Sequence, residues 1–142
     1  MKKQVLTFIC LSTFSAFAFS GYLKYNPQQD KQFSETNSCV NCDLSSDNLS
    51  GNHSGAKLSG ANLSDSVFYG CFSQADFTKA NASEANFAQV NLSEADFTGA
   101  AVNNASFRYA NLYKAKITDE QLKTAKDICG ATLPDGKKGP CS

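Results

Sequence analysis

The sequence lacks the residues on which most catalytic and metal sites depend. It has no tryptophan and only one histidine among 142 residues. No pairing of a nucleophile with a base is recognisable, and there is no glycine-rich loop of the kind that binds phosphate. The carboxylates stand singly at regularly spaced polar positions such as Asp76, Glu94 and Asp96, which indicates a solvated face. We therefore predict a protein that is not an enzyme and holds neither a metal nor a cofactor.

An excess of either charge is also absent. Residues 21–142 carry 11 basic and 13 acidic side chains, so their formal charge is −2. This balance excludes the basic footprint that is typical of nucleic-acid-binding proteins. It also falls short of the dense acidic surface that a protein imitating DNA would need. We therefore predict no nucleic-acid partner.

Long apolar runs are missing except at the N-terminus. Lys2 and Lys3 precede the apolar segment Val5–Phe19, and Ala18-Phe19-Ser20 is a small-x-small cleavage site before Gly21. The apolar segment is too short and too often interrupted by Ser and Thr to span a membrane. The sequence thus predicts a signal peptide over residues 1–20. The mature protein would be periplasmic or secreted, with no stable membrane insertion after the signal is removed.

What the chain does contain is a five-residue period from Cys42 to Asp119. The unit reads A-(D/N)-(L/F)-(S/T)-x, and 12 of its 16 centres are Leu or Phe. This period fits neither a helix nor an ordinary strand. A short fixed period indicates one small backbone unit stacked on copies of itself. The centres are Leu44, Leu49, His53, Leu58, Leu63, Phe68, Phe72, Phe77, Ala82, Phe87, Leu92, Phe97, Val102, Phe107, Leu112 and Ile117.

The repeated motif resembles that of the pentapeptide-repeat family. The resemblance implies an all-β fold, a right-handed quadrilateral β-helix of about four coils. It implies no shared catalytic activity for exported members. Some family members protect DNA gyrase by imitating DNA, which gives one alternative function for this chain, although its length, charge and export signal depart from theirs.

Two irregularities in the period predict how the coils align. The spacing between centres is four, not five, from Leu49 to His53 and from Phe68 to Phe72. The two shortened units lie 19 residues apart and begin with Gly51 and Gly70. We therefore expect them to stack at one corner, where glycine tolerates the unusual backbone angles. In this register Leu49, Phe68, Phe87 and Phe107 form one interior column, and Leu58, Phe77, Phe97 and Ile117 form another.

The repeat region, residues 39–119, is expected to end in a capped C-terminal segment, residues 120–142. Thr118 and Gln121 form a capping box, which predicts a short helix over residues 119–129 that lies on the last coil. Gly130 sits where a helix C-terminus favours glycine. The following tail resembles that of exported pentapeptide-repeat proteins, and we pair Cys129 with Cys141.

At the other end, residues 21–38 are expected to be a loosely ordered leader. Cys39 and Cys42 follow it, and a structural disulfide that closes the N-terminal edge is the interpretation we favour. A zinc site would need a second ligand pair, which the sequence lacks. A thiol-redox protein that uses this C-x-x-C pair remains an alternative function. Cys71 is left over, which indicates either intermolecular pairing or a reactive free thiol, or else an inert, half-buried thiol.

Binding is the role that a rigid rod suits best. The corner between the second and third sides collects Tyr69, Arg108, Tyr109 and Tyr113, with Val67, Cys71 and Ala88 around them. Tyr and Arg are enriched at interface hot spots. We therefore predict that this corner contacts a protein partner or a second copy of the chain, which makes the protein an interaction or structural module.

The predicted signal peptide is tested by the N-terminus of the exported protein. We expect expression of the full chain in a bacterial host to yield an envelope or extracellular form that begins at Gly21, because cleavage follows Ser20. N-terminal sequencing and intact mass measure this. A protein that retains Met1 and stays in the cytoplasm would contradict the prediction.

Overall fold

A computed structural model describes residues 26–141 of the chain. The predicted signal peptide lies outside these residues. The described chain comprises helix α1 (Pro27–Thr36), strands β1 (Asn48–Asn52) and β2 (Val67–Cys71), and helix α2 (Asp119–Thr124). Within residues 26–141, neither helix has the length and apolar character needed to cross a bilayer.

Between the two helices the chain winds as a parallel β-helix. Ser38 pairs with Lys57, and Lys57 pairs with Asp76, so each of the first two coils takes 19 residues. Asp76 pairs with Asp96, and Asp96 with Lys116, so the later coils take 20. We refer to residues 38–56 as the first coil and to residues 57–75 as the second. The predicted β-helix with a short C-terminal helix is confirmed.

The five-residue motif has a direct backbone explanation. The last residue of each unit adopts a left-handed conformation, as at Gln74, Lys79 and Glu84 with φ of 58°, 57° and 61°. Ten of the sixteen centres are preceded by Asn or Asp, a residue type that stabilises this turn because its side-chain oxygen can accept a hydrogen bond from the backbone N–H two residues later. Asp76 Oδ1, for example, lies 2.9 Å from the nitrogen of Thr78. The chain therefore turns once per unit.

The interior consists of stacked rings and small alanine side chains. Phe68, Phe87 and Phe107 form one column, with centroid separations of 4.3 Å and 5.2 Å. Phe77 and Phe97 stack at 4.7 Å in the other column. The two columns meet edge to face, and the alanines two residues before the centres are also buried. The predicted register of both columns is thus confirmed for the aromatic residues.

The two shortened units stack as predicted. β1 pairs in parallel with β2, and Gly51 is the partner of Gly70. Both glycines have positive φ, 127° and 93°. Because the turn residue is missing, the chain runs on as a continuous strand where other units bend. This is why β1 and β2 are five residues long, while the units outside them pair through isolated bridges.

The N-terminal segment differs from the prediction of a loosely ordered leader. Residues 27–36 form α1, with Asn26 as the N-cap and Pro27 in the first turn. Phe33 of α1 is buried, and its ring lies 4.5 Å from that of His53. His53 in turn lies 5.1 Å from the ring of Phe72. The prediction failed because only one side chain of this polar helix is buried, which leaves no apolar period to detect.

The C-terminal helix is shorter than the predicted range 119–129. The capping box of Thr118 and Gln121 is present, but α2 ends at Thr124. Residues after it return to the β-helix, because Asp127 pairs with Ser106 and Thr132 with Asn111. Gly130 has a φ of 68° in this added stretch and is not a helix terminus. The segment Ala131-Thr132-Leu133 repeats the inward spacing of the motif, which the helix prediction overlooked.

Gly70 is the position where the stacked corner is least tolerant of substitution. A Cβ at Gly70 would collide with the backbone oxygen of Gly51, and the φ of 93° is unfavourable for any L-residue. We expect Gly70→Ala to lower the free energy of unfolding by at least about 2 kcal/mol.

Gly55→Ala is the matched control. Gly55 also has a positive φ of 67°, but a Cβ there meets nothing within 4 Å. We expect it to cost about 1 kcal/mol, measured by urea denaturation of both variants. Equal losses for the two substitutions would show that the corner is not closely packed.

Candidate interaction surface

The four residues of the predicted contact surface are exposed but do not form one continuous cluster. Tyr69, Tyr109 and Tyr113 are 56%, 54% and 45% exposed. Arg108 and Tyr109 are adjacent in the chain, and Tyr113 is one unit further along the same coil. Tyr69 lies two coils before Arg108, roughly 10 Å away along the axis. We call this set the aromatic corner.

Arg108 is held by contacts within the protein. Its guanidinium donates a hydrogen bond to Asp127 Oδ2 at 3.0 Å and lies 5.1 Å from the centroid of the Tyr109 ring. The hydrogen bond to Asp127 raises the pKa of Arg108 above its ordinary value. The pKa of Asp127 is lowered by the backbone N–H of Cys129 and by Arg108. Arg108 therefore presents an ordered, partly neutralised cation.

Two of the tyrosines lie against the C-terminal tail. A Cβ at Gly130 would overlap the ring of Tyr109, so the ring covers that glycine. The ring of Tyr113 passes 3.7 Å from the position of a Cβ at Gly136, and the Lys114 ammonium lies 5.3 Å from the same ring. The inner faces of both rings are therefore fixed by the tail. Tyr69 is the most exposed of the three tyrosines.

An open groove of about 760 Å³ adjoins Arg108. Its lining combines short side chains, among them Ala88 and Ser106, with the charged side chains of Lys126 and Glu84. The groove exists because residues 126–127 continue the β-helix. Sequence reasoning missed it, together with Asp127, because that stretch was assigned to a helix.

The structure contains disulfides between Cys39 and Cys42 and between Cys129 and Cys141. Cys39 is fully buried and Cys42 is 7% exposed. Cys39 Sγ lies 3.6 Å from the backbone oxygen of Gln29 in α1. Thiol–disulfide exchange requires access of an attacking thiolate to a sulfur. The covered position of this pair therefore favours a structural role over a redox role.

Cys71 is a free thiol at the stacked corner and is partly exposed. Its sulfur lies 3.3 Å from Ser54 Oγ, 3.4 Å from Ser73 Oγ and 3.5 Å from Asn91 Nδ2. Hydrogen bonds from Ser54 and then Ser73 lower the pKa of the Cys71 thiol below its ordinary value. The sulfur is thus partly accessible and hydrogen-bonded, as a reactive free thiol requires, and its reactivity stays a prediction.

Metal ligation finds no support in the described part of the chain. No group of three or more His, Cys, Asp or Glu side chains among residues 26–141 is placed to hold an ion. The single His53 has its ring between Phe33 and Phe72, and its Nδ1 lies 2.8 Å from Asn37 Oδ1. Its ring contacts and hydrogen bond fasten α1 to the first coil.

The environment of Cys71 predicts how fast it reacts. We expect Ser54→Ala to slow alkylation by iodoacetamide at neutral pH about two- to threefold, because loss of the hydrogen bond raises the thiol pKa and lowers the thiolate fraction. Ser93→Ala is the matched control, since Ser93 occupies the equivalent position one coil beyond Ser73. An unchanged rate in Ser54→Ala would show that the hydroxyl does not stabilise the thiolate.

Solved structures of pentapeptide-repeat proteins are similar to this chain. The chain matches none of the curated proteins. It is similar to the structure of Rfr23, a pentapeptide-repeat protein of the cyanobacterium Cyanothece 51142, with 22% identity, a TM-score of 0.44, and coverage of 74% of this chain and 82% of that one. A pentapeptide-repeat protein of the Arabidopsis thaliana thylakoid lumen is 21% identical, with a TM-score of 0.48 and coverage of 80% and 74%.

The structure of QnrB1, a plasmid-mediated fluoroquinolone resistance protein, is 26% identical over 66% of this chain and 56% of that one, with a TM-score of 0.34. The family model for pentapeptide repeats matches residues 71–108 and 90–119, with eight copies of the repeat. The same five-residue turn and inward Leu or Phe recur in the coils before residue 71. The family model thus identifies residues 71–119 as pentapeptide repeats, and the described coils before them continue the same unit.

Proposed function

We propose that the protein is a non-enzymatic, exported interaction module that binds a protein partner or a second copy of itself through the aromatic corner. The observation that carries the proposal is the exposure of three tyrosines along one corner of a rigid scaffold, one of which, Tyr109, lies beside an ordered arginine. Elsewhere among the described residues, the only other large apolar side chain with comparable exposure is Val40. Tyr and Arg contribute more to protein interfaces than other surface residues do.

The finer architecture is part of the proposal. We infer a right-handed, four-sided β-helix of about four coils. Support comes from the pairing interval of 19 or 20 residues together with one turn for every five-residue unit. The flat sides and closed interior of such a rod would present side chains at fixed positions.

The rigidity of the scaffold favours binding. The backbone of each inner coil bonds to the coils before and after it, as in the bonds from Phe77 N to Asp96 O and from Asp96 N to Ala75 O. Tyr109 and Tyr113 rest on the C-terminal tail, which the disulfide from Cys129 to Cys141 holds in place. A pre-ordered surface loses less conformational entropy on binding than a mobile one.

Charge distribution suggests the chemistry of the partner. Residues 26–107 carry three basic and nine acidic side chains, whereas residues 108–141 carry seven basic and four acidic ones. The end that bears Arg108, Tyr109 and Tyr113 is therefore the positive end of an otherwise negative rod. An acidic protein surface, including the N-terminal coils of a second copy, would complement it.

The interaction is tested with a variant that alters the corner and not the fold. We expect Tyr69→Ser together with Tyr113→Ser to weaken association at least tenfold, because large aromatic contacts are lost. Both side chains are exposed, and Arg108 with its bond to Asp127 is left intact. Val40→Ser, at a site that is 49% exposed and far from the corner, is the matched control.

Association is measured in two ways, by sedimentation equilibrium of the purified protein and by quantitative capture from an envelope extract. A self-association constant or a captured partner lost in the double variant and kept in Val40→Ser supports the proposal. Equal behaviour of all three proteins in both measurements would overturn it.

A further inference from the structure

An aspartate occupies an interior position of the first coil where other coils have small side chains. Asp47 lies two residues before the centre Leu49. Its register neighbours in the following coils are Ser66, Ala85 and Ala105, all of them fully buried. Asp47 is 4% exposed, and its Oδ2 atom has no hydrogen-bond partner among residues 26–141. An ionised carboxylate in such a place is unfavourable unless it is paired.

Helix α1 lies over this end of the interior. The Gln29 side-chain oxygen accepts a hydrogen bond from the Asp43 N–H at 2.7 Å, and the ring of Phe33 lies 4.5 Å from that of His53. Between these two attachments α1 leaves a small cavity of about 180 Å³, bordered by Asp30, Phe33 and Ser34 on the helix and by residues 48–50 on the coil. Asp47 immediately precedes this stretch of the coil.

Within the described part of the chain, the charged groups that act on Asp47 are acidic. Asp30 faces it from α1 and Asp43 from the first coil, and both act on it with a repulsive charge. The second coil contributes Ser66, which is uncharged and whose hydroxyl donates to the backbone oxygen of Leu63. The ion pair of Lys31 and Glu35 lies on the exposed side of α1, where both side chains are mostly solvated. His53, whose ring lies 4.5 Å from that of Phe33, is a further titratable side chain near this end.

We propose that the docking of α1 on the first coil is linked to the protonation of Asp47. The docked state is favoured when this carboxyl is protonated and disfavoured when it ionises. Lifting α1 away would hydrate the carboxylate and separate it from Asp30. The ionised form therefore favours the undocked helix, and the neutral form favours the docked one.

The direction of the pH dependence follows from the two states. In the docked state the pKa of Asp47 is raised from 3.8 to about 6. Burial is the largest cause, and the negative charges of Asp30 and Asp43 add to it. In the undocked state a hydrated carboxyl returns towards its ordinary pKa. The stabilising effect of protonation is thus full at low pH and is lost as the pH rises through about 6. From about pH 5 to about pH 8, the docking constant should fall roughly tenfold.

Hydrogen exchange of the purified protein tests the proposal. We expect the α1 amides, Phe33 among them, and the amide of the C-cap Asn37 to lose protection roughly tenfold between about pH 5 and about pH 8, after correction for intrinsic exchange rates. In Asp47→Asn, which keeps the size and removes the charge, the corrected protection of α1 should not change with pH. Asp47→Ala, which copies Ala85 and Ala105 of the later coils, should behave in the same way if the asparagine variant proves unstable.

Two controls separate Asp47 from other titrating groups. Asp65→Asn neutralises an exposed aspartate in the second coil and should retain the pH dependence of the unaltered protein. His53→Gln should also retain it, because the proposal assigns the proton to the carboxyl. The proposal is overturned if α1 protection in the unaltered protein is independent of pH, or if Asp47→Asn and Asp47→Ala keep the same dependence.

Discussion

The whole structure depends on a left-handed residue at the end of each five-residue unit. Without this turn the chain would continue as a strand, which is what happens at Gly51 and Gly70, where the turn residue is missing. With it, two side chains of every unit point inward, and the backbone bonds to the coils on both sides. The preference for Asn or Asp before the centre follows from the same constraint, because these side chains stabilise the turn locally.

The caps matter as much as the coils, because a β-helix ends in unpaired backbone groups. At the C-terminal end the backbone itself continues beyond α2, and the tail returns antiparallel to it, with Thr132 paired to Lys138. At the N-terminal end, side chains of α1 replace the missing coil: Gln29 satisfies the N–H of Asp43, and Phe33 extends the aromatic stack. The two ends therefore differ in how firmly they are closed.

The sequence predicted the periodic part of the fold well because each unit specifies its own turn and its own interior side chains. The pairing of Gly51 with Gly70 and the columns of Phe68 and Phe77 follow from the spacing between the centres of the units alone. The ends were predicted less well, since α1 is held by Phe33 and a few polar contacts that have no period. The candidate surface could be located by residue type. The side chain that pairs with Arg108 within the protein could not be predicted. Asp127 is brought to it by a stretch whose spacing departs from five residues.

The stacked corner has a consequence for recognition. A uniform rod looks the same after a shift of one coil, so a partner could bind it in several registers about 4.8 Å apart. Here the first two coils pass the corner as straight strands, while the later ones bend there, at Gln89 and at Tyr109. The translational symmetry is broken along one edge only, the edge that carries the exposed tyrosines. A ligand that follows this edge can distinguish the two directions of the rod and has a single position at which it fits.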